Sequence, residues 1–557
     1  MENGFKFIKS FNKKNIGKYV VDGINYIYLF LILCIFPLVF HDYYFDITRT
    51  RRDFFVFVTI GYVVLMVIAY IFESSWSYYQ KTKSVLMHNN KYSTWLSPDL
   101  WMALFLASNF FAYLISLTDD GMIDGRSAFT GENGRLMGLA VYLVIGMMFF
   151  VLGRYADVKL PLYIAFGFVT LFAYIVAVYQ HIDPDLSRFE NPGYKPSGIN
   201  RLKELLPYYA FNLKNRISKK QYNIFISTFG NINIFASFIV ISLACFVCMF
   251  IFSKKLFYRV FSGIVVAVGG TVMMIANSDS AYIGVGCVML FLLILSYKDG
   301  LLLRFFKSLI LLGIGNLGIV LINKYMACVL EKKYDKRGGF AEHLDRLDLA
   351  IVIIVMLVLL YLIAFFVNKK WGNSLKKINK NKVIIIAAVL LLVLGTVVIV
   401  IGNKKHIGAF TFNYRWGTFR GYIWTKAVLL FKDAPFMNKL FGYGNESLKA
   451  LMTQNYYAEM VEVTNKVYDN AHNELLQYLV TTGLCGMLSY IGLFVSSFVY
   501  ILKNSKKEVI AYISLSVMLG YFIQGLINLN QPITTPFYFV FMAVGVGFVR
   551  GNNRKNK

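Results

Sequence analysis

The chain has 557 residues, 57% hydrophobic and only 16% charged, with 57 Lys and Arg against 30 Asp and Glu for a formal net charge of +27. An ordinary soluble domain carries about 25% charged residues. Here the mean hydropathy is +0.56, and apolar runs recur from end to end, which excludes a soluble enzyme, a secreted disulfide scaffold and a disordered chain.

Runs of ~20 apolar residues cross ~30 Å of hydrocarbon as helices, so the sequence predicts an all-α polytopic membrane protein. About fourteen spans are expected. They lie near 23–40, 54–72, 100–117, 137–152, 160–179, 232–252, 256–276, 281–297, 301–323, 349–367, 383–401, 486–502, 509–527 and 532–549. The first follows Lys6, Lys9, Lys13, Lys14 and Lys18 and has no small-residue cleavage site, so it reads as an uncleaved signal anchor. Counting alternate loops from there, Lys81, Arg154, Lys254, Lys369 to Lys382, Lys503 and Arg550 to Lys557 share one side. The positive-inside rule makes that side and both termini cytoplasmic. The basic excess therefore sets topology, and no nucleic-acid partner is expected. Cys245 and Cys248 form C-x-x-C inside a span, where packing is the expected role.

Three outer segments break the run of short loops: 180–231, 324–348 and 402–485. The organisation expected is an N-terminal bundle over 1–401, a large extracytoplasmic loop over 402–485 and C-terminal spans with a basic tail over 486–557. Within the large loop, Ile423, Lys426, Ala427 and Leu430 recur at helical spacing over 421–436, which predicts an interfacial amphipathic helix ending before Pro435. A glycine turn follows at Gly442-Tyr443-Gly444. Further on, Asp469 or Asn470 is a natural N-cap, which would put His472 in the first turn of a helix. A helix N-terminus disfavours imidazolium, so His472 is a candidate general base. Arg415 and Arg420, ahead of the amphipathic helix, are candidates to grip a diphosphate. Acidic pairs at Asp42/Asp46 and Asp183/Asp185 could suit a divalent metal. Arg49, Arg51 and Arg52 explain the first pair by charge alone, so no metal site is expected.

Four segments together resemble the O-antigen ligase/polymerase family. They are Arg420-Gly421-Tyr422-Ile423-Trp424, the Gly442-Tyr443-Gly444 turn, Ala471-His472-Asn473-Glu474-Leu475-Leu476-Gln477, and Ser227-Thr228-Phe229-Gly230-Asn231 at a middle span. A weaker match is Asn277-Ser278-Asp279-Ser280. The resemblance implies a GT-C-like bundle and an inverting glycosyltransferase that needs no metal or other cofactor. It would polymerise or ligate undecaprenyl-diphosphate-linked oligosaccharides at the outer face of a bacterial cytoplasmic membrane, for surface polysaccharide. It also implies that Arg420 holds the diphosphate and His472 activates the acceptor hydroxyl, with Asn473 and Asn231 in the substrate site. Family members often carry an arginine just before Thr-Phe-Gly-Asn, where this chain has Ile224, Phe225 and Ile226. Lys219, Lys220 or Arg415 could supply that contact. The expected partners are the lipid-linked donor, a glycan or lipid acceptor, membrane lipids and other polysaccharide-assembly proteins. The rival readings are a lipid-linked-oligosaccharide flippase and a non-catalytic subunit of an assembly complex.

Overall fold

The computed structural model describes residues 16–41, 46–79, 97–118, 125–132, 134–182, 227–325, 340–376, 382, 400–401, 403–405 and 411–555. Asp42, Asp183, Asp185, Lys219, Lys220, Cys328 and His406 lie outside these residues, as does almost all of the expected span 383–401.

Every regular element among the described residues is helical. In chain order the main helices are α1 (Ile16–Phe30), α2 (Ile47–Tyr79), α3 (Pro98–Ser116), α4 (Leu139–Tyr155), α5 (Leu160–Ile182), α6 (Ile232–Phe252), α7 (Leu256–Ala276) and α8 (Asp279–Asp299). Then come α9 (Leu302–Tyr325), α10 (Leu347–Lys376), α11 (Trp416–Asp433), α12 (Leu448–Thr464), α13 (Glu474–Thr481), α14 (Gly483–Asn504), α15 (Val509–Gly525) and α16 (Thr535–Lys555). Among the described residues ten helices are long and apolar enough to cross a membrane, and α4, α15 and α16 are shorter apolar helices. Each expected span other than 383–401 coincides with one of these, so the chain is a polytopic helical membrane protein.

Two equally apolar helices show how the bundle is organised. In α6 the sequence is apolar on every face and nearly every side chain is buried, because α7, α8 and α15 surround it. A helix of that kind belongs at the centre. Cys245 and Cys248 lie here, both buried and free. In α10 the run from Ile351 to Phe366 is as apolar, yet its large side chains are mostly exposed. Such a surface suits hydrocarbon, not water. The C-terminal helices join the same bundle, α16 packing on α4 and α15, and α14 on α3.

Polar residues collect at the two ends. At one end Arg550 forks Asp99 at 3.0 and 3.3 Å, Arg304 donates to the carbonyls of Ile251 and Ser253, and Lys507 pairs with Asp299. The other end gathers the chain around 37–41, 131–138, 227–231, 277–279, 411–482 and 526–534. There Arg51, fully buried on the ring of Phe229, donates to the carbonyls of Pro37, Val39 and Thr228. Asn528 bonds the carbonyl of Asn233 at 2.8 Å.

Segment 411–482 has its own small core, in which Tyr422, Ile423, Ala427 and Leu430 of α11 meet Leu448, Leu451, Met452, Met460, Ala471 and Val480. The buried face of α11 is the one its spacing predicted, and the helix ends at Asp433, before Pro435. Its start differs, because Gly417, Thr418 and Phe419 are left-handed and form a kink just ahead of Arg420. Lys426 ties α11 to α12 by an ion pair with Glu459 at 2.7 Å and by lying over the Tyr456 ring. The glycine turn has a steric cause. Gly442 (φ +76°) and Gly483 (φ +68°) let residues 440–442 run against 481–483, and a Cβ on Gly442 would sit 2.2 Å from the Thr481 carbonyl carbon.

Candidate active site

The helix that follows His472 begins later than its sequence predicts. Its N-cap is Asn473, whose side-chain oxygen accepts from the Leu476 N–H at 3.1 Å. Neither Asp469 nor Asn470 caps it, because both are drawn into other contacts. Arg135 donates from Nη2 to Asp469 Oδ1 at 3.0 Å and is ion-paired with the same carboxylate, Nε lying 2.9 Å from Oδ2. Asn470 accepts from the His472 N–H at 2.8 Å and donates to Asn530, which in turn donates to the Tyr142 hydroxyl. His472 thus lies one residue outside the helix, in a left-handed conformation with φ +50°. Histidine is among the residue types that tolerate this region.

Two further bonds fix the loop. Trp424 of α11 donates from Nε1 to the Ala471 carbonyl at 3.0 Å, and the Ala471 N–H donates to Gln477 Oε1 at 3.0 Å. The ring of Tyr468 meets the imidazole edge-on at 6.1 Å.

His472 is held neutral, its pKa pushed down to about 4. Burial is the largest cause, followed by the charges of Arg420 and Arg135, with Asp469 opposing them. The prediction of a neutral imidazole came from a helix terminus; in the structure burial and two guanidiniums produce it. Arg420, partly buried, donates from Nη1 to the Gly417 carbonyl at 2.8 Å across the left-handed kink. Burial lowers its pKa, and the charge of Asp279 counters that effect. Among the described residues, Nδ1 of His472 and Nε of Arg420 are buried with no hydrogen-bond partner. Buried polar atoms are normally satisfied, so this pair offers hydrogen-bonding capacity to a bound molecule.

Two buried carboxylates frame the site, and the sequence reading missed one of them. Glu446, left-handed at φ +66°, accepts from the backbone N–H groups of Arg135 at 2.7 Å and Met137 at 3.1 Å. Burial pushes its pKa up to about 7. Glu474, in the first turn of α13, accepts from the hydroxyls of Tyr490 at 2.6 Å and Tyr521 at 2.8 Å, and burial pushes it up to about 7 as well.

Among the candidates named from the sequence, the structure brings His472 and Arg420 together, with Asp279 close to Arg420. Arg415 is exposed and is not among the charges acting on His472. Asn473 and Asn231 both serve as helix N-caps, Asn231 accepting from the Asn233 N–H at 2.8 Å. Lys220 is not among the described residues. Asp46 pairs with His41 at 2.9 Å, and among the described residues no three His, Cys, Asp or Glu side chains cluster around a common point. Sequence reasoning did not find Arg135, and no local pattern marks it.

Fold and site together define a polytopic helical membrane protein with a polar centre built at one end of its bundle. Residues 346–491, roughly a quarter of the chain, match the family model described as O-antigen ligase. The match includes Arg420, the glycine turn and His472, so the resemblance to the O-antigen ligase/polymerase family is borne out. It supports an O-antigen ligase- or polymerase-type function at a membrane, with a lipid-linked glycan donor and an acceptor. No curated protein matches the chain.

Proposed function

We propose that the protein is an inverting glycosyltransferase that polymerises or ligates undecaprenyl-diphosphate-linked oligosaccharides at the outer face of a bacterial cytoplasmic membrane. The observation that carries this reading is a neutral histidine beside a partly buried arginine inside the matched segment. An acceptor sugar hydroxyl attacks the anomeric carbon of the donor. The bond from that carbon to the diphosphate oxygen breaks, and undecaprenyl diphosphate departs with the electron pair. His472 takes the hydroxyl proton. A single displacement inverts the anomeric centre. Arg420 opposes the negative charge growing on the leaving group, an effect worth several kcal/mol in a preorganised site. The diphosphate also offsets the cationic field at His472, so the imidazole becomes a stronger base once the donor is bound.

The basic residues of the far end, Lys18, Arg154, Lys254, Arg304, Lys507 and Arg550, support placing that end in the cytoplasm and the site outside. A total of about fourteen spans, with both termini inside, follows if 383–401 crosses as its ~20-residue apolar length suggests. The functional division into 1–401, 402–485 and 486–557, the GT-C-like comparison and independence from metal belong to the same proposal.

The decisive experiment uses purified protein and a lipid-linked oligosaccharide. His472→Ala should retain donor binding and cut turnover by roughly 10²–10⁴. Arg420→Lys keeps the charge but loses the planar fork, and should weaken donor binding and turnover together. Activity should persist in excess EDTA; loss reversed by Mg²⁺ would replace this reading with a metal-dependent one. Near-normal transfer by a well-expressed His472→Ala would remove the base assignment. In a deletion strain, accumulating single lipid-linked repeats would identify a polymerase and accumulating full-length polymer a ligase.

A further inference from the structure

The ion pair between Arg135 and Asp469 joins residues 334 positions apart, and it closes three residues before His472. Its anchorage is elaborate for a surface pair. Arg135 lies in the turn between a short helix, Gly125–Thr130, and α4, and that turn is fastened from below by the Glu446 carboxylate. Glu446 is only 5% exposed and spends both oxygens on backbone N–H groups of this turn. A Cβ on Gly134 would fall 1.7 Å from Glu446 Oε2, so only glycine allows the approach. Leu136 and Glu446 both sit in left-handed backbone, at φ +63° and +66°. Strained residues persist where surrounding contacts over-determine them, as they do at sites that must be held in one geometry.

We propose that Arg135 is a positioning residue for His472, that it acts through its hydrogen-bonded ion pair with Asp469, and that Glu446 is the anchor holding Arg135 in place. The pair ties the 468–472 loop to the turn of Arg135, while the Trp424 bond to the Ala471 carbonyl ties it to α11. It also sets the charge around the ring. The groups that act on His472 are Arg420 from α11, Arg135 from the turn, and Asp469 and Tyr468 from its own loop. With Arg135 in place the Asp469 charge is balanced. Without it, an unpaired carboxylate would stabilise imidazolium.

The proposal rests on the reading of His472 as a base, but its first test does not require activity. Carbethoxylation of His472 by diethyl pyrocarbonate, followed by mass spectrometry between about pH 2.5 and 8, reports the neutral imidazole. Arg135→Ala should move the midpoint up by about one unit or more. Asp469→Asn should move it down, and the double variant, which removes both charges, should return it towards wild type. Arg135→Lys, which keeps the charge and loses the planar guanidinium, guards against misfolding of the alanine variant. It should hold the midpoint while lowering turnover several-fold at unchanged donor affinity. Glu446→Gln should reproduce part of the Arg135→Ala shift. An unmoved midpoint in Arg135→Ala, or a double variant that keeps the whole Arg135→Ala shift, would overturn the proposal. Full transfer by His472→Ala would sink the functional reading instead and leave the midpoint shifts standing.

Discussion

His472 stays unprotonated because the protonated ring would be partly buried between two guanidiniums, and this has a kinetic signature. The acid limb of kcat/KM reports the free enzyme and should fall near pH 4, where the imidazole takes up its proton. The acid limb of kcat reports the donor complex and should lie at higher pH, since the diphosphate opposes Arg420. Coincident limbs would show that the donor does not approach the ring. Glu474 has the opposite linkage. Its folded pKa, about 7, lies above the usual carboxyl value, so its contribution to stability is present below about pH 4.5 and is lost as pH rises through 7. Glu474→Gln stays neutral throughout. Its melting temperature relative to wild type should therefore rise between pH 5 and pH 8, and a constant difference would mean that Glu474 is ionised in the fold at both. At this scale the sequence disclosed His472 and Arg420, which carry local patterns, but not Arg135 or Glu446. Their meaning depends on partners 334 and 311 positions away.

Between residue and bundle, helix starts and kinks were harder to read than helix faces. The face of α11 was legible because Ile423, Lys426, Ala427 and Leu430 recur with the helical period. Its left-handed start was not, since Thr418 and Phe419 are ordinary residues forced out of their usual backbone region. The cap of α13 was misread by three or four residues because three cap-forming side chains stand close together, and tertiary partners claim two of them. Only Asn473 remains for the helix. Asn473→Ala should therefore lower stability by about 1 kcal/mol, the usual value of an N-cap, and Asn473→Ser should restore most of it. Thermal unfolding in detergent measures this. If Asn473→Ser is stable but as poor in transfer as the alanine variant, the amide also touches substrate.

Across the whole molecule, hydropathy disclosed the helical bundle and most span positions, because crossing a bilayer imposes length and apolarity directly on the sequence. It could not show that α6 is central and α10 peripheral, since both read as apolar on every face and only their neighbours distinguish them. The proposed orientation rests on the segregation of charge. A reporter fused within 369–382 should read cytoplasmic, and one within 440–465 should read extracytoplasmic. A cytoplasmic readout within 440–465 would move the His472 centre to the cytoplasmic face and exclude the proposed chemistry there.

The clasp between Asp99 and Arg550 also constrains how the protein is made. Its partners lie 451 positions apart, and both side chains are at most 10% exposed. During synthesis Asp99 enters the membrane early, with its counter-charge still to be translated, and the face of α4 that receives α16 is empty for the same interval. Until α16 is made, the chain thus carries an unpaired carboxylate that Arg550 later neutralises. Breaking such a buried pair costs about 3–5 kcal/mol, enough for quality-control proteases to sense. A chain stopped at residue 549 should be degraded quickly in pulse-chase labelling, and Asp99→Asn in that shortened chain should lengthen its life. Synthesis of α16 is then the step that supplies this counter-charge, after the residues of the active centre have been made.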